Sequence, residues 1–192
     1  RRIRTHPHPV YSQFPAAEVA LPRRAARELL FYGFVRPYKG LDVLLEALAL
    51  CHSRDLFLTV AGEFWEGGAR ARAHVAALGL DDRVEIRPRY HSDLETAALF
   101  ERADMVVMPY LSATGSGVLG LALQYGKPVI ASAIGGLADI VQDGVTGLLV
   151  PAGNADALAR AIDAMPADRC AAMTDAVRAH ARCLTWDSLA RC

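Results

Sequence analysis

Apolar positions in this chain gather into short unbroken runs, and the stretches between them carry helical spacing. The runs at 29–34, 56–61, 84–86, 105–108, 128–132 and 147–150 show little polar alternation, as expected of parallel strands covered on both faces. Leu41, Leu44, Leu45 and Leu48 recur on one helical face after the first run. An Ala-rich stretch at 68–77 follows the second, and Ser92-Asp93-Leu94-Glu95 forms a capping box that starts a helix over about 93–102. A short helix after residue 117, another opening at Gly135-Gly136, and one capped by Asn154 with Leu158, Ala161, Ile162 and Met165 on one face complete the alternation, before a last helical region at 168–182. Strand–helix repetition of this kind predicts an α/β fold: a doubly wound, Rossmann-like parallel sheet of about six strands, with ligands bound outside the carboxyl ends of the strands. Pro7, Pro9, Pro15 and Pro22 make residues 1–27 an extended lead-in or interdomain linker, leaving 28–192 as the folded domain.

The pattern turns on the segment 108–131, where strand, loop, short helix, Gly126 turn and strand follow in close order. Its loop, Thr114-Gly115-Ser116-Gly117-Val118, holds only small or hydroxyl side chains up to Val118. Such a loop lets a ligand approach the backbone, and the first-turn N–H groups of the next helix then point at it. That arrangement predicts an anion site, most naturally for a phosphate.

Composition narrows the choices. The chain has 192 residues, 53% of them hydrophobic, with a mean hydropathy of +0.18, enough for a sizeable buried core. Twenty-one basic and 21 acidic residues cancel, so no global field recommends nucleic acid or a membrane surface as partner. Basic residues do cluster at Arg1, Arg2 and Arg4, and at Arg83, Arg87 and Arg89 around the third strand, where a small anionic ligand fits better than a polymer. Cys51, Cys170, Cys183 and Cys192 lack metal or redox spacing, which favours a reducing, cytoplasmic setting. No secretory signal or membrane-spanning run is present. The chain opens on Arg1 rather than Met and reads as an excised domain of a longer protein.

Several pieces in order carry a family resemblance: Gly33-Phe34-Val35-Arg36-Pro37-Tyr38-Lys39-Gly40, Val60-Ala61-Gly62, Ala103-Asp104, Gly126-Lys127-Pro128-Val129-Ile130-Ala131, Gly135-Gly136 and 143–151. Over about 27–165 the chain resembles the C-terminal, nucleotide-sugar-binding domain of family 4 glycosyltransferases, one half of the two-domain GT-B architecture. The resemblance implies a nucleoside-diphosphate sugar as donor substrate, no cofactor, and transfer with retained anomeric configuration to an acceptor held by an N-terminal domain of the same parent chain. It implies no activity for this fragment alone, and membrane association only through that other domain. The diphosphate is expected between the loop at 114–118 and the basic turn at 36–39, with base and ribose near the ends of strands three and four. Lys39 matches the family's phosphate-binding lysine, whose ammonium neutralises the departing diphosphate. Arg36 joins it by proximity, because the usual arginine position directly after Gly33 is taken by Phe34.

The residues expected around the donor are therefore Lys39 and Arg36 as catalytic groups, with Gly33, Phe34, Glu63, Arg89, Tyr90, Thr114, Gly115, Ser116, Gly117 and Val118 lining the site. His91 follows Tyr90 and reads either as a cleft contact or as an exposed loop residue; Asp139 reads as a surface or capping carboxylate. Two positions that are glutamate in many family members are Ala113 and Leu121 here. That departure keeps open a second reading, a nucleotide-binding or assembly module without turnover. A metal-dependent transfer is not supported, since neither an Asp-x-Asp triplet nor a ligand cluster appears. A dinucleotide-dependent oxidoreductase is the weakest of the three readings.

Overall fold

The structure is a computed structural model that describes residues 14–65, 67–186 and 190; Pro7, Pro9, the opening arginines and Cys192 lie outside the described residues. Six parallel strands form one sheet in the order β3-β2-β1-β4-β5-β6: β1 (Arg27–Tyr32), β2 (Leu56–Ala61), β3 (Val84–Arg87), β4 (Met105–Met108), β5 (Val129–Ser132) and β6 (Gly147–Val150). Between them run α1 (Leu41–Leu50), α2 (Gly68–Ala77), α3 (Asp93–Arg102), α4 (Gly117–Gln124) and α5 (Gly135–Ile140), and α6 (Ala155–Asp163) and α7 (Ala167–Cys183) close the chain. The expected doubly wound sheet is therefore present.

Side-chain alternation along the strands divides the core into two layers. Leu29 and Phe31 of β1, with Leu58, Val60, Met105, Val107 and Ile130, pack on α1 and α6, while Leu30, Val106, Met108, Val129 and Ala131 pack on the side of α4 and α7. Because both faces are covered, the central strands are mostly apolar on both sides. The four leucines of α1 are buried as their spacing requires, and Ser92 and Glu95 complete the capping box at α3.

β1 begins two residues before the first apolar run and ends two residues earlier. Arg27 and Glu28 are buried in it, each with a partner: Arg27 Nη1 donates to the Ile162 carbonyl at 2.9 Å, and the Glu28 carboxylate lies 3.6 Å from Arg102 Nε. The described part of the lead-in is likewise tied down. Gln124 and the Tyr125 hydroxyl donate to the carbonyls of Phe14 and Pro15, and Arg23 reaches the Asp104 carboxylate at 2.6 Å.

Strand order reverses direction between β1 and β4, which pair in parallel through Leu29 with Met105 and Leu30 with Val106. The chain leaves β1 toward α1 on one face and leaves β4 toward α4 on the other. A crevice opens at that point above the carboxyl ends, and it positions the site.

Candidate active site

A cavity of about 560 Å3 occupies the crevice. It brings together Gly33, Phe34, Lys39, Glu63, Arg89, Tyr90, Gly115, Ser116, Gly117 and Val118, all expected from the sequence. Phe14, Tyr32, Tyr38, Gly62, His91, Tyr110 and Leu121 complete its lining.

Lys39 ends a single 3-10 turn (Pro37–Lys39) and is only 6% exposed. Its Nζ donates to the Tyr32 carbonyl at 3.3 Å and stands 5.4 Å from the centre of the Tyr110 ring. No carboxylate among the described residues pairs with it. Burial, and secondarily the nearby Arg36 charge, lowers its pKa from 10.5 to about 8. A buried ammonium without a counter-ion is costly, and an anionic ligand offsets that cost.

Gly33 makes room for this ammonium. Its φ is +96°, and a Cβ placed on it would lie 3.0 Å from Lys39 Nζ and 3.2 Å from Val118 Cγ2. The lysine and the first turn of α4 thus meet at one bare backbone position. At that turn Ser116 is the N-cap residue, yet its side chain makes no capping hydrogen bond; its hydroxyl instead pairs with the Tyr110 hydroxyl at 3.3 Å. Backbone donors at the helix start are left for a ligand, beside the positive end of the helix dipole.

The opposite end of the cavity is built by the chain after β3. Arg89 grips Glu95 through both nitrogens, at 3.0 and 2.5 Å, and donates to the Tyr90 carbonyl. Arg89 first, and the Ser92 N–H second, hold the Glu95 carboxyl down to about 2. His91 is not an exposed loop residue: it is 4% exposed and neither ring nitrogen has a well-formed hydrogen bond. Burial and the Arg89 charge lower its pKa.

Two expected residues stand elsewhere. Thr114 lines a small cavity of about 100 Å3 on the other side of the loop, with Gly136 and Asp139. Arg36 does not line the crevice; its guanidinium lies over the Trp65 ring, 4.8 Å from the centroid. Of the two positions that lack glutamate, Leu121 presents an apolar side chain to the cavity. Ala113 serves packing, since a Cβ on Gly135 would fall 2.1 Å from its carbonyl oxygen. Tyr32, Tyr38 and Tyr110 were not singled out by sequence, because aromatic residues at strand ends read equally well as core. Among the described residues no group of three or more His, Cys, Asp or Glu side chains is placed to hold a metal, and no helix is long and apolar enough to cross a membrane.

A doubly wound sheet with a basic turn after β1 and a small-residue helix start after β4 is the Rossmann-like half of the GT-B architecture. The family model described as glycosyl transferases group 1 matches residues 26–168, and the chain belongs to that family. D-inositol 3-phosphate glycosyltransferase of Salinispora tropica is 34% identical over 169 residues, covering 82% of this chain and 35% of the relative. Among solved structures, sucrose-phosphate synthase from Thermosynechococcus elongatus superposes with a TM-score of 0.76 at 29% identity, over 88% of this chain and 44% of that one. The C-terminal domain of a group 1 glycosyl transferase, LpcC, from Francisella tularensis shares the fold at 19% identity and a TM-score of 0.74, covering 88% of this chain and 94% of that one. The chain thus spans about a third of the first relative's length.

Proposed function

We propose that this chain is the donor-binding domain of a retaining, metal-independent glycosyltransferase that takes a nucleoside-diphosphate sugar and transfers the sugar to an acceptor held by another domain of the parent protein. The observation that carries this reading is the buried Lys39 ammonium, paired with no carboxylate among the described residues, facing the uncapped start of α4 across Gly33. Lys39 neutralises the diphosphate as the glycosidic bond to it breaks, and the α4 amides bind its remaining oxygens. Arg89, Tyr90 and Glu63 surround the nucleoside or sugar end. Lys39→Ala is expected to weaken UDP or GDP binding by about 1.5–3 kcal/mol, the scale of a charge-assisted hydrogen bond, as read by calorimetry. Unchanged affinity for both nucleotides removes Lys39 from the site.

The lowered lysine pKa gives a second check, whose sign follows from the proton balance. The unfolded chain keeps this lysine protonated up to about 10.5, the folded one only to about 8, so this group makes folding stability rise with pH across that window. Diphosphate binding has the opposite dependence, because the bound anion needs the ammonium. Affinity is expected to hold level below pH 8 and then fall by up to about tenfold per unit, with a proton taken up on binding near pH 8. Calorimetry in buffers of different ionisation enthalpy reads that proton, and Lys39→Ala should abolish it.

Leu121 favours a second reading, a module that binds nucleotide without turnover, since an apolar side chain lines the cavity where the family resemblance leads one to expect a glutamate. Donor binding with no transfer by the full parent protein supports that alternative.

A further inference from the structure

Past the ends of β1 and β2 the two chains stay zipped. Gly33 N–H donates to the Ala61 carbonyl at 2.9 Å, Val35 N–H to Glu63 at 2.8 Å, and Trp65 N–H to Val35 at 3.4 Å. Side chains of an extended pair alternate between its two sides. Phe34 and Glu63 line the crevice described above, whereas Val35 and Phe64, joined by a parallel bridge, line a second cavity of about 340 Å3 on the other side of this wall.

Arg36 belongs to that second cavity. No carboxylate among the described residues pairs with it. Its partner is the face of Trp65, a ring that is 71% exposed and stands next in the chain to Phe64. Stacking of this kind fixes the guanidinium plane while leaving its N–H edge free to donate. Arg70 enters the cavity from α2 and holds Asp42 Oδ2 at 2.7 Å, which uses a fraction of its five donors. Leu41, Phe64 and Ala71 supply the apolar part of the lining. Among the described residues two guanidinium groups therefore stand against one carboxylate, above an apolar floor, with one of them stacked on an exposed indole.

We propose that this second cavity binds a monosaccharide-sized sugar carrying an anionic group, at a site separate from the crevice. Arginine forks match phosphate and carboxylate oxygens. The C–H face of a pyranose is apolar and suits the floor of Leu41, Phe64 and Ala71, the Phe64 ring in particular, while Trp65 holds the Arg36 fork in place. The volume lies at the low end of the small-ligand range, about 300–1,000 Å3, which limits the occupant to roughly one ring. The inference does not rest on the donor reading, because it shares no lining residue with the crevice.

Titration of the 192-residue chain with glucose 6-phosphate, glucuronate and glucose, followed by calorimetry, tests it. At least one anionic sugar is expected to bind about tenfold or more tightly than glucose, and comparison of the two tells phosphate from carboxylate as the preferred anion. Arg36→Ala, Trp65→Ala and Arg70→Ala should each weaken that binding by about tenfold, and Arg36→Lys, which keeps the charge and loses the fork, by less. Lys39→Ala should leave it unchanged, and Arg70→Ala should leave UDP affinity unchanged. The proposal is overturned if neither anionic sugar binds at millimolar concentration, if glucose binds as well, if Arg36→Ala and Trp65→Ala both retain binding, or if Lys39→Ala removes it.

Discussion

Gly117→Val is expected to abolish nucleoside-diphosphate binding while leaving the fold intact. Gly117 is the first residue of α4, exposed, and part of the crevice lining. A branched side chain there occupies the space through which a phosphate approaches the helix amides. The first turn of a helix accepts valine at small cost, so the melting temperature should move little. Ser116→Ala is the contrast. Serine at an N-cap normally contributes about 0.5–2 kcal/mol of stability, but this one makes no capping bond, so its loss should cost less than that range. Nucleotide affinity should fall by about 0.5–1.5 kcal/mol, one neutral hydrogen bond at most. Melting curves and calorimetry on the same two proteins separate this from a packing role. A destabilised Gly117→Val protein that still binds UDP or GDP would falsify the phosphate-loop assignment.

The sheet was legible because its signal is redundant. Parallel strands buried on both faces are written as apolar runs, and β2, β4 and β6 have the expected bounds. β1 was displaced by two residues for a specific reason. Arg27 and Glu28 look like the end of a loop until the long-range partners Ile162 and Arg102, 135 and 74 residues away in the chain, satisfy them. No local pattern announces that kind of compensation. His91 was ambiguous in the same way, since exposure depends on how Tyr32 and the chain after β3 close over it.

The crevice itself could be read in part. Glycines, a lysine after a proline and a run of small residues are local signals, and ten of the twelve expected residues share one cavity. Arg36 was separated from Lys39 by something sequence does not express. Arg36 stays with Val35 on the outer side of the continued β1–β2 ladder, stacked on Trp65, whereas the 3-10 turn Pro37–Lys39 carries Lys39 back into the crevice, so three residues of chain put the two cations in different cavities. The aromatic groups were missed because their role is geometric: Tyr38 meets Tyr110 edge to face at 6.0 Å, and Tyr110 in turn holds both Lys39 and Ser116.

Gly40→Ala is expected to damage stability and nucleotide binding together. Gly40 ends the turn that carries Lys39 and starts α1, with φ at +70°. Adopting that conformation costs an alanine about 1–2 kcal/mol. Here the added Cβ would also stand 2.0 Å from the carbonyl oxygen of Pro109, on the far wall of the crevice. Backbone cannot yield as a flexible side chain would, so the β1 and β4 loops must part. The Leu111 N–H bond to the Tyr38 carbonyl, now 2.7 Å, and the Lys39–Tyr110 contact are strained with them. Strain of this kind adds about 1–3 kcal/mol, which brings the total to roughly 2–5 kcal/mol and lowers Tm by about 4–20 °C in a chain of this size. Gly144→Ala isolates the backbone share of that cost, because Gly144 has φ at +75° and nothing within 4 Å of where its Cβ would lie. It should lose only about 1–2 kcal/mol and keep full affinity for UDP or GDP. Equal losses of stability in the two variants, or undiminished nucleotide binding by Gly40→Ala, would show that the contact with Pro109 does not hold the two walls of the crevice in register.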